Sequence, residues 1–316
     1  MFTYIAINLL QLAFVLLLAP LFKGVQKWLE ERLQGKVGPS IFQPWYDLRK
    51  LFGKDRVVSD QSSWIFCAAP YVAFVAPLVV TLLIPVLTTY PLFLAFMAEM
   101  VGVGFILALS GLFIALAAVD TANPYGAVGA SRTRMVGFLV EPIWMMIFFA
   151  ISFRAYSTIP YFVQQAWAGS LAAFFAPAHI LVVVALLMVV IAETGGSPVD
   201  NPAGHFELAM IDESKNLEYS GSAAALMHWA GDMKLVVVLV VLENVLLSPW
   251  GLASHVSFLA ALAAVPWIVL KLLGGIVVLA VINVSFAKLR LFRVPEYLAG
   301  AFAVAVIALI VEVFLP

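Results

Sequence analysis

Of the chain's 316 residues, 64% are hydrophobic and 11% are charged, with a formal net charge of −1 at pH 7, whereas a soluble domain has roughly a quarter of its residues charged. That balance excludes a soluble enzyme and a nucleic-acid-binding domain and places the chain in lipid. The single cysteine, Cys67, excludes an internal disulfide and an iron-sulfur cluster held by this chain alone, which needs about four thiolates.

Apolar runs of the roughly 20 residues needed to cross the hydrocarbon recur from end to end. The first, Thr3 to Phe22, has no basic stretch before it and runs directly into Lys23, so it reads as an anchor helix rather than a signal peptide. In the connection that follows, Ile41, Trp45, Leu48, Leu51 and Phe52 fall at spacings of three and four among Asp47, Arg49 and Lys50. This predicts an amphipathic helix lying at the membrane interface. Further spans are predicted over Trp64 to Leu87, Phe93 to Ala118, Met135 to Phe153 and Leu171 to Ala192. A second long connection carries a mixed pattern from Glu207 to Leu217, and three more spans follow, over Leu235 to Leu252, Phe258 to Ala287 and Tyr297 to Leu315. Pro70, Pro77 and Pro85 are expected to kink the second span, Pro249 the sixth and Pro266 the seventh. The expected fold is an all-α integral membrane protein of one domain, with about eight transmembrane helices and long cytoplasmic loops between spans 1 and 2 and spans 5 and 6. No internal repeat suggests a transporter of two duplicated halves.

Orientation follows from the basic residues, which accumulate in cytoplasmic loops. Fifteen of the 17 Lys and Arg residues fall in the connections after spans 1, 3, 5 and 7. Arg154 lies on the other side and Lys271 within a span. Both termini are therefore expected outside and the two long loops in the cytoplasm, where loops of that length make a docking surface.

Ionisable groups at bilayer depth are costly unless they face a partner or water, which makes them functional candidates. Glu99, Glu141, Glu193, Glu243, Lys271 and Glu312 fall within or at the ends of spans, and Asp120 closes span 3. Glu141, Glu193 and Asp120 are expected near one leaflet, where water-linked carboxylates can pass protons. The bland alternative is that each is tied to an Arg or a backbone donor. Glu312 reads as interfacial, and Lys271 either pairs with an acid or relays a proton. Among the four histidines, His179 and His255 are placed near span ends and His205 and His228 in the second long loop, all as interfacial polar residues rather than haem ligands.

The loop strings carry a resemblance. Arg32-Leu33-Gln34, Gly38-Pro39, Gln43 and Tyr46-Asp47-Leu48-Arg49-Lys50-Leu51 resemble the first loop of the subunit 1 family of respiratory complex I. Asp120-Thr121, Asn123-Pro124, Gly129-Ala130-Ser131-Arg132 and Glu141-Pro142 resemble its connection between spans 3 and 4 and the start of span 4. Glu193-Thr194, Pro198-Val199-Asp200, Glu207-Leu208 and Glu218-Tyr219-Ser220-Gly221 resemble its loop after span 5. The strings around Asp120, Arg132 and Glu141, with the compact Gly38-Pro39 segment, look closer to the formate hydrogenlyase and hydrogenase-4 branch. The family usually carries further acids three and five residues after the position of Asp200, where this chain has Ala203 and His205.

The resemblance implies eight helices and a membrane subunit of an energy-converting oxidoreductase, in a bacterial or archaeal cytoplasmic (inner) membrane. Its partners would be hydrogenase-like large and small subunits, iron-sulfur subunits and antiporter-like membrane subunits. The nickel-iron centre and iron-sulfur clusters would lie in those partners, with no cofactor and no catalytic residue in this chain. It also implies a proton path through Glu141, Glu193 and Asp200, with Glu207 the remaining acid of the family's cluster; Glu99, Glu243, Lys271 and Asp120 are further candidates from their place at bilayer depth. Docking candidates are Trp45, Tyr46, Arg49, Lys50, Arg132, Glu218 and Tyr219. The rival readings are the quinone-binding subunit of an NADH:quinone oxidoreductase and an autonomous ion transporter.

Overall fold

The structure is a computed structural model that describes residues 2–92, 99–169, 174–200, 211 and 213–314. Its described residues form helices and connecting segments, without a strand ladder. In chain order the helices are α1 (Phe2–Leu33), α2 (Gln43–Phe52), α3 (Trp64–Leu83), α4 (Met100–Asp120), α5 (Pro124–Ala155), α6 (Pro160–Ala168), α7 (Pro177–Glu193), α8 (Gly221–Val240), α9 (Phe258–Ser285) and α10 (Val294–Phe314). Six are long and apolar enough to cross a membrane: α1, α3, α4, α5, α9 and α10 with the short turn before it. The shorter apolar α7, and α8 with the π-helical turn Val241–Leu247 that continues it, complete the expected multi-pass bundle. Consecutive rods run in opposite directions. Asn283 near the end of α9 donates to Glu30 near the end of α1 (2.7 Å), and Arg154 at the end of α5 pairs with Glu312 at the end of α10 (3.2 Å). The end holding Glu30, Lys54, Lys215 and Lys288 is called the basic end below.

Several boundaries differ from hydropathy. α1 continues past Phe22 to Leu33, and the chain then turns at Gly35, which adopts φ +75°. α5 starts at Pro124, where the Asn123 side chain accepts from the Tyr125 amide (2.9 Å). Arg132 and Arg134 are therefore helical residues rather than loop residues. α8 likewise starts at Gly221, so His228 and Lys234 are in a helix. The physical reason is shared: hydropathy measures how far lipid reaches, whereas backbone hydrogen bonding carries a helix on through polar turns. Pro85 and Pro249 do not kink helices but lie just beyond the ends of α3 and of the π-helical turn, whereas Pro70, Pro77 and Pro266 sit inside helices. Glu99 is not within a span; it is an exposed residue preceding α4. His179 lies in the first turn of α7, but it faces the protein, being 2% exposed and packed on Trp167.

α8 is the central staff, with every residue from Leu235 to Leu246 buried, as befits a helix apolar on all sides. Toward the basic end, small residues let α3, α4 and α8 approach closely: Ala69, Ala73, Ala117, Ala223, Ala224 and Ala230 join Phe66 and Met227 in one buried cluster. The predicted amphipathic helix is present as α2. Leu48 is its buried residue, and Trp45 and Phe52 turn edge-on to Trp229 of α8 at centroid distances of 5.5 and 6.2 Å.

At the opposite end, α3 and the π-helical turn stop inside the bundle, and the non-helical stretches after them lie side by side. The Thr89 amide donates to the Ala253 carbonyl (3.0 Å) and the Ala253 amide to Leu87 (2.9 Å). Such backbone is tolerated at membrane depth only where protein satisfies it. Side chains do so here: Gln11 and Tyr161 donate to the Ile84 carbonyl (3.1 and 3.0 Å), Asn244 to Pro85 and Val86 (3.0 and 2.9 Å), and Gln164 to Pro249 (2.7 Å).

Candidate functional site

At the basic end a cavity of about 520 Å³ opens between α1, α2, α3, α4, α5, α7 and α8. It is large enough for many waters, each of which takes about 30 Å³ in the liquid. Its lining includes apolar side chains, Phe105, Trp144 and Phe148 among them, together with charged ones.

Glu141 sits midway along α5, two turns beyond Arg134 on the same helix. Arg134 Nη2 lies 3.5 Å from Glu141 Oε1, and each side chain is about one-third exposed. Glu193 ends α7 and pairs with Lys234, which the early start of α8 brings opposite it. Asp200 is 4% exposed; its Oδ1 pairs with Lys288 (2.9 Å) and its Oδ2 accepts from the Ile211 amide (2.9 Å). Thr133 on α5 donates to the Ile211 carbonyl (2.8 Å), which ties this corner to the helix that carries Glu141. All three acids line the cavity, as do Arg134 and Lys234. Each of these three acids therefore has a base beside it.

The other proton-path candidates lie elsewhere. Asp120 ends α4 and accepts from the Ser63 amide (2.6 Å), pinning the start of α3. Glu243 and Lys271 are at the opposite end, beside the end of the π-helical turn. Glu99 is exposed next to α4, and Glu207 falls outside the described residues. Sequence reasoning passed over Lys23, Lys27, Asp47, Glu213, His228 and Asp232, all of which line the cavity. The signal was available for one pair: His228 and Asp232 are four residues apart, hence on one face of a helix, once α8 is known to begin at Gly221.

The docking candidates divide in two. Tyr46, Arg49 and Lys50 are exposed on α2. Trp45 is turned inward onto Trp229, and Glu218 accepts from Asn123. Tyr219 is buried, stacked on Phe66 at 4.3 Å and 2°, with its hydroxyl donating to the Phe66 carbonyl (3.1 Å). Burial pushes its phenol above the usual tyrosine value. Arg132 is half-buried on α5.

Residues 5–314 match the family described as NADH dehydrogenase. The chain belongs to that family. Two relatives within reach of sequence comparison come from Escherichia coli (strain K12). Formate hydrogenlyase subunit 4 is 29% identical over 304 residues, covering 96% of both chains. Hydrogenase-4 component C is 29% identical over 304 residues, covering 95% of this chain and 93% of the relative. These matches bear out the complex I subunit 1 resemblance and the branch its loop strings suggested. The fold is similar to a chain of the membrane-bound sulfane sulfur reductase, an archaeal respiratory membrane complex. The TM-score is 0.84, over 99% of this chain and 100% of that one. At 19% identity the likeness is one of fold.

Proposed function

We propose that this member of the family is the membrane subunit of an energy-converting oxidoreductase complex of the hydrogenase type. It anchors the redox arm on its basic end and links that arm's chemistry to proton movement in antiporter-like membrane subunits. The observation that carries the reading is the convergence of Glu141, Glu193 and Asp200 on one cavity. In this reading the basic end faces the cytoplasm of a bacterium or archaeon and both termini lie outside. Hydrogenase-like large and small subunits and iron-sulfur subunits contact α2 through Tyr46, Arg49 and Lys50. The nickel-iron centre and the clusters belong to those partners, because a cluster takes about four thiolates and this chain has one cysteine. The chain itself takes no catalytic step.

The ion pairs supply the means. Glu141 and Glu193 share the cavity with Arg134 on the same helix and Lys234 on a neighbouring one, so a small movement of α5 against α7 and α8 brings each acid toward the other's base. Separating a pair leaves a carboxylate without its base in a protein interior, and taking up a proton removes that unpaired charge. Carboxylates linked by cavity water can then hand protons along.

Glu→Gln keeps nearly the same shape but removes the charge and the proton site. Glu141→Gln and Glu193→Gln, made in the whole complex, are expected to assemble at normal stoichiometry. Their proton-coupled turnover is expected to fall roughly 10-fold or more. Wild-type turnover together with a wild-type proton gradient in both variants would show the acids to be structural.

A further inference from the structure

Lys271 lies halfway along α9, and its ammonium is fully engaged by oxygen. It donates to the main-chain carbonyls of Ser248 and Trp250 and, at 3.4 Å, to Asn244 Oδ1. All three acceptors belong to the place where the π-helical turn Val241–Leu247 stops within the bundle. The last carbonyls of a helix carry partial negative charge and have no partner within it. Beside them Glu243 is buried, 9% exposed. Its carboxyl accepts from the Ser248 hydroxyl (3.4 Å) and is pressed against Gly275, where an added Cβ would stand 2.9 Å from Oε1. A glycine on α9 thus makes room for the acid one turn beyond Lys271.

Two main-chain carbonyls at a helix break, an amide oxygen and a nearby carboxylate form the donor set with which membrane proteins hold monovalent cations. Here a covalently attached ammonium fills the centre. We infer that Lys271 is a tethered cation: its ammonium occupies a monovalent-cation site at the end of the π-helical turn, balances Glu243, and keeps mobile ions out. The site lies at the opposite end from the charged cavity and shares no lining residue with it, so the inference does not rest on the proton-path reading. It also gives the broken end of the bundle a reason to stay closed, since the non-helical stretch from Ser248 onward has its carbonyls held from α9 rather than by water.

The test uses the intact complex carrying Lys271→Ala or Lys271→Gln, with sodium, potassium or ethylammonium as probe at constant ionic strength set by choline. Lys271→Ala leaves the Ser248 and Trp250 carbonyls without their donor and the buried Glu243 without a balancing charge, so its melting midpoint is expected to fall by roughly 5 °C or more. Millimolar sodium, potassium or ethylammonium is expected to restore part of the loss, while the wild type does not respond. Lys271→Gln keeps two N–H donors on a side chain one bond shorter and uncharged; it is expected to assemble, to melt below the wild type, and to gain no more than a small response because its amide still fills most of the space. A Lys271→Ala complex whose stability ignores all three cations would overturn the inference, as would wild-type stability of Lys271→Gln. If Lys271→Ala fails to assemble, growth with ethylammonium is expected to recover it, and failure there would count equally against the site.

Discussion

Gly24 shows how a single residue sets the geometry of the basic end. It lies on α1 where the incoming loop crosses, and an added Cβ would stand 1.9 Å from the Ile41 carbonyl oxygen, closer than any real contact. The loop runs from there into α2, so its path fixes where α2 rests on Trp229. Gly24→Ala is expected to push the Ile41 backbone outward and loosen α2, at a cost of about 1–3 kcal/mol for forced overpacking. Limited proteolysis between Gln34 and Gln43 would report it as faster cleavage, and a thermal melt as lower stability. Unchanged cleavage would mean that the loop has another path across α1. The same scale explains why the cavity's acids were only partly legible. Glu141 and Glu193 stood out as charges in apolar runs, which composition along the chain reveals. Asp232 did not, because it sits three residues before an apolar run and looks like loop until the start of α8 is known.

At the scale of elements, α2 presents two faces with different duties. Leu48 and Trp45 turn inward against the bundle, while Tyr46, Arg49 and Lys50 remain exposed. The amphipathic period was readable from sequence, including which side is apolar. The sequence did not distinguish an apolar face resting on lipid from one resting on α8; the Trp45–Trp229 contact decides for protein. If the exposed face holds the redox arm, Arg49→Glu with Lys50→Glu is expected to release that arm from purified membranes while the membrane subunits stay together. Exposed charges contribute little to folding, so a loss of binding would point to docking rather than unfolding. Retention of the arm at normal stoichiometry would move the docking face elsewhere. Tyr219 illustrates the converse: it was a docking candidate by resemblance, yet its stack on Phe66 commits it to joining α3 and α8.

For the whole molecule, the segregation of charge is the governing feature. Basic residues collect at one end, beside the cavity and α2, while the other end is closed by paired non-helical segments and the amide side chains that satisfy them. The positive-inside bias then predicts that a reporter fused after Pro316 reads as periplasmic and one inserted near Lys215 as cytoplasmic. The opposite readout would invert the bundle and with it the docking face.

The residence in lipid, the number of rods, their alternation, the basic end and the family were determined by the sequence alone. Each of these is a sum over neighbouring residues judged against a uniform apolar slab, or a string read in order, and neither depends on which helix packs on which. The tertiary structure alone decided that Glu141, Glu193 and Asp200 share a cavity with Arg134 and Lys234, and that Lys271 meets the broken end of α8. Those meetings join residues far apart along the chain. They follow from how helices cross and where their hydrogen bonding stops, and hydropathy carries no record of either.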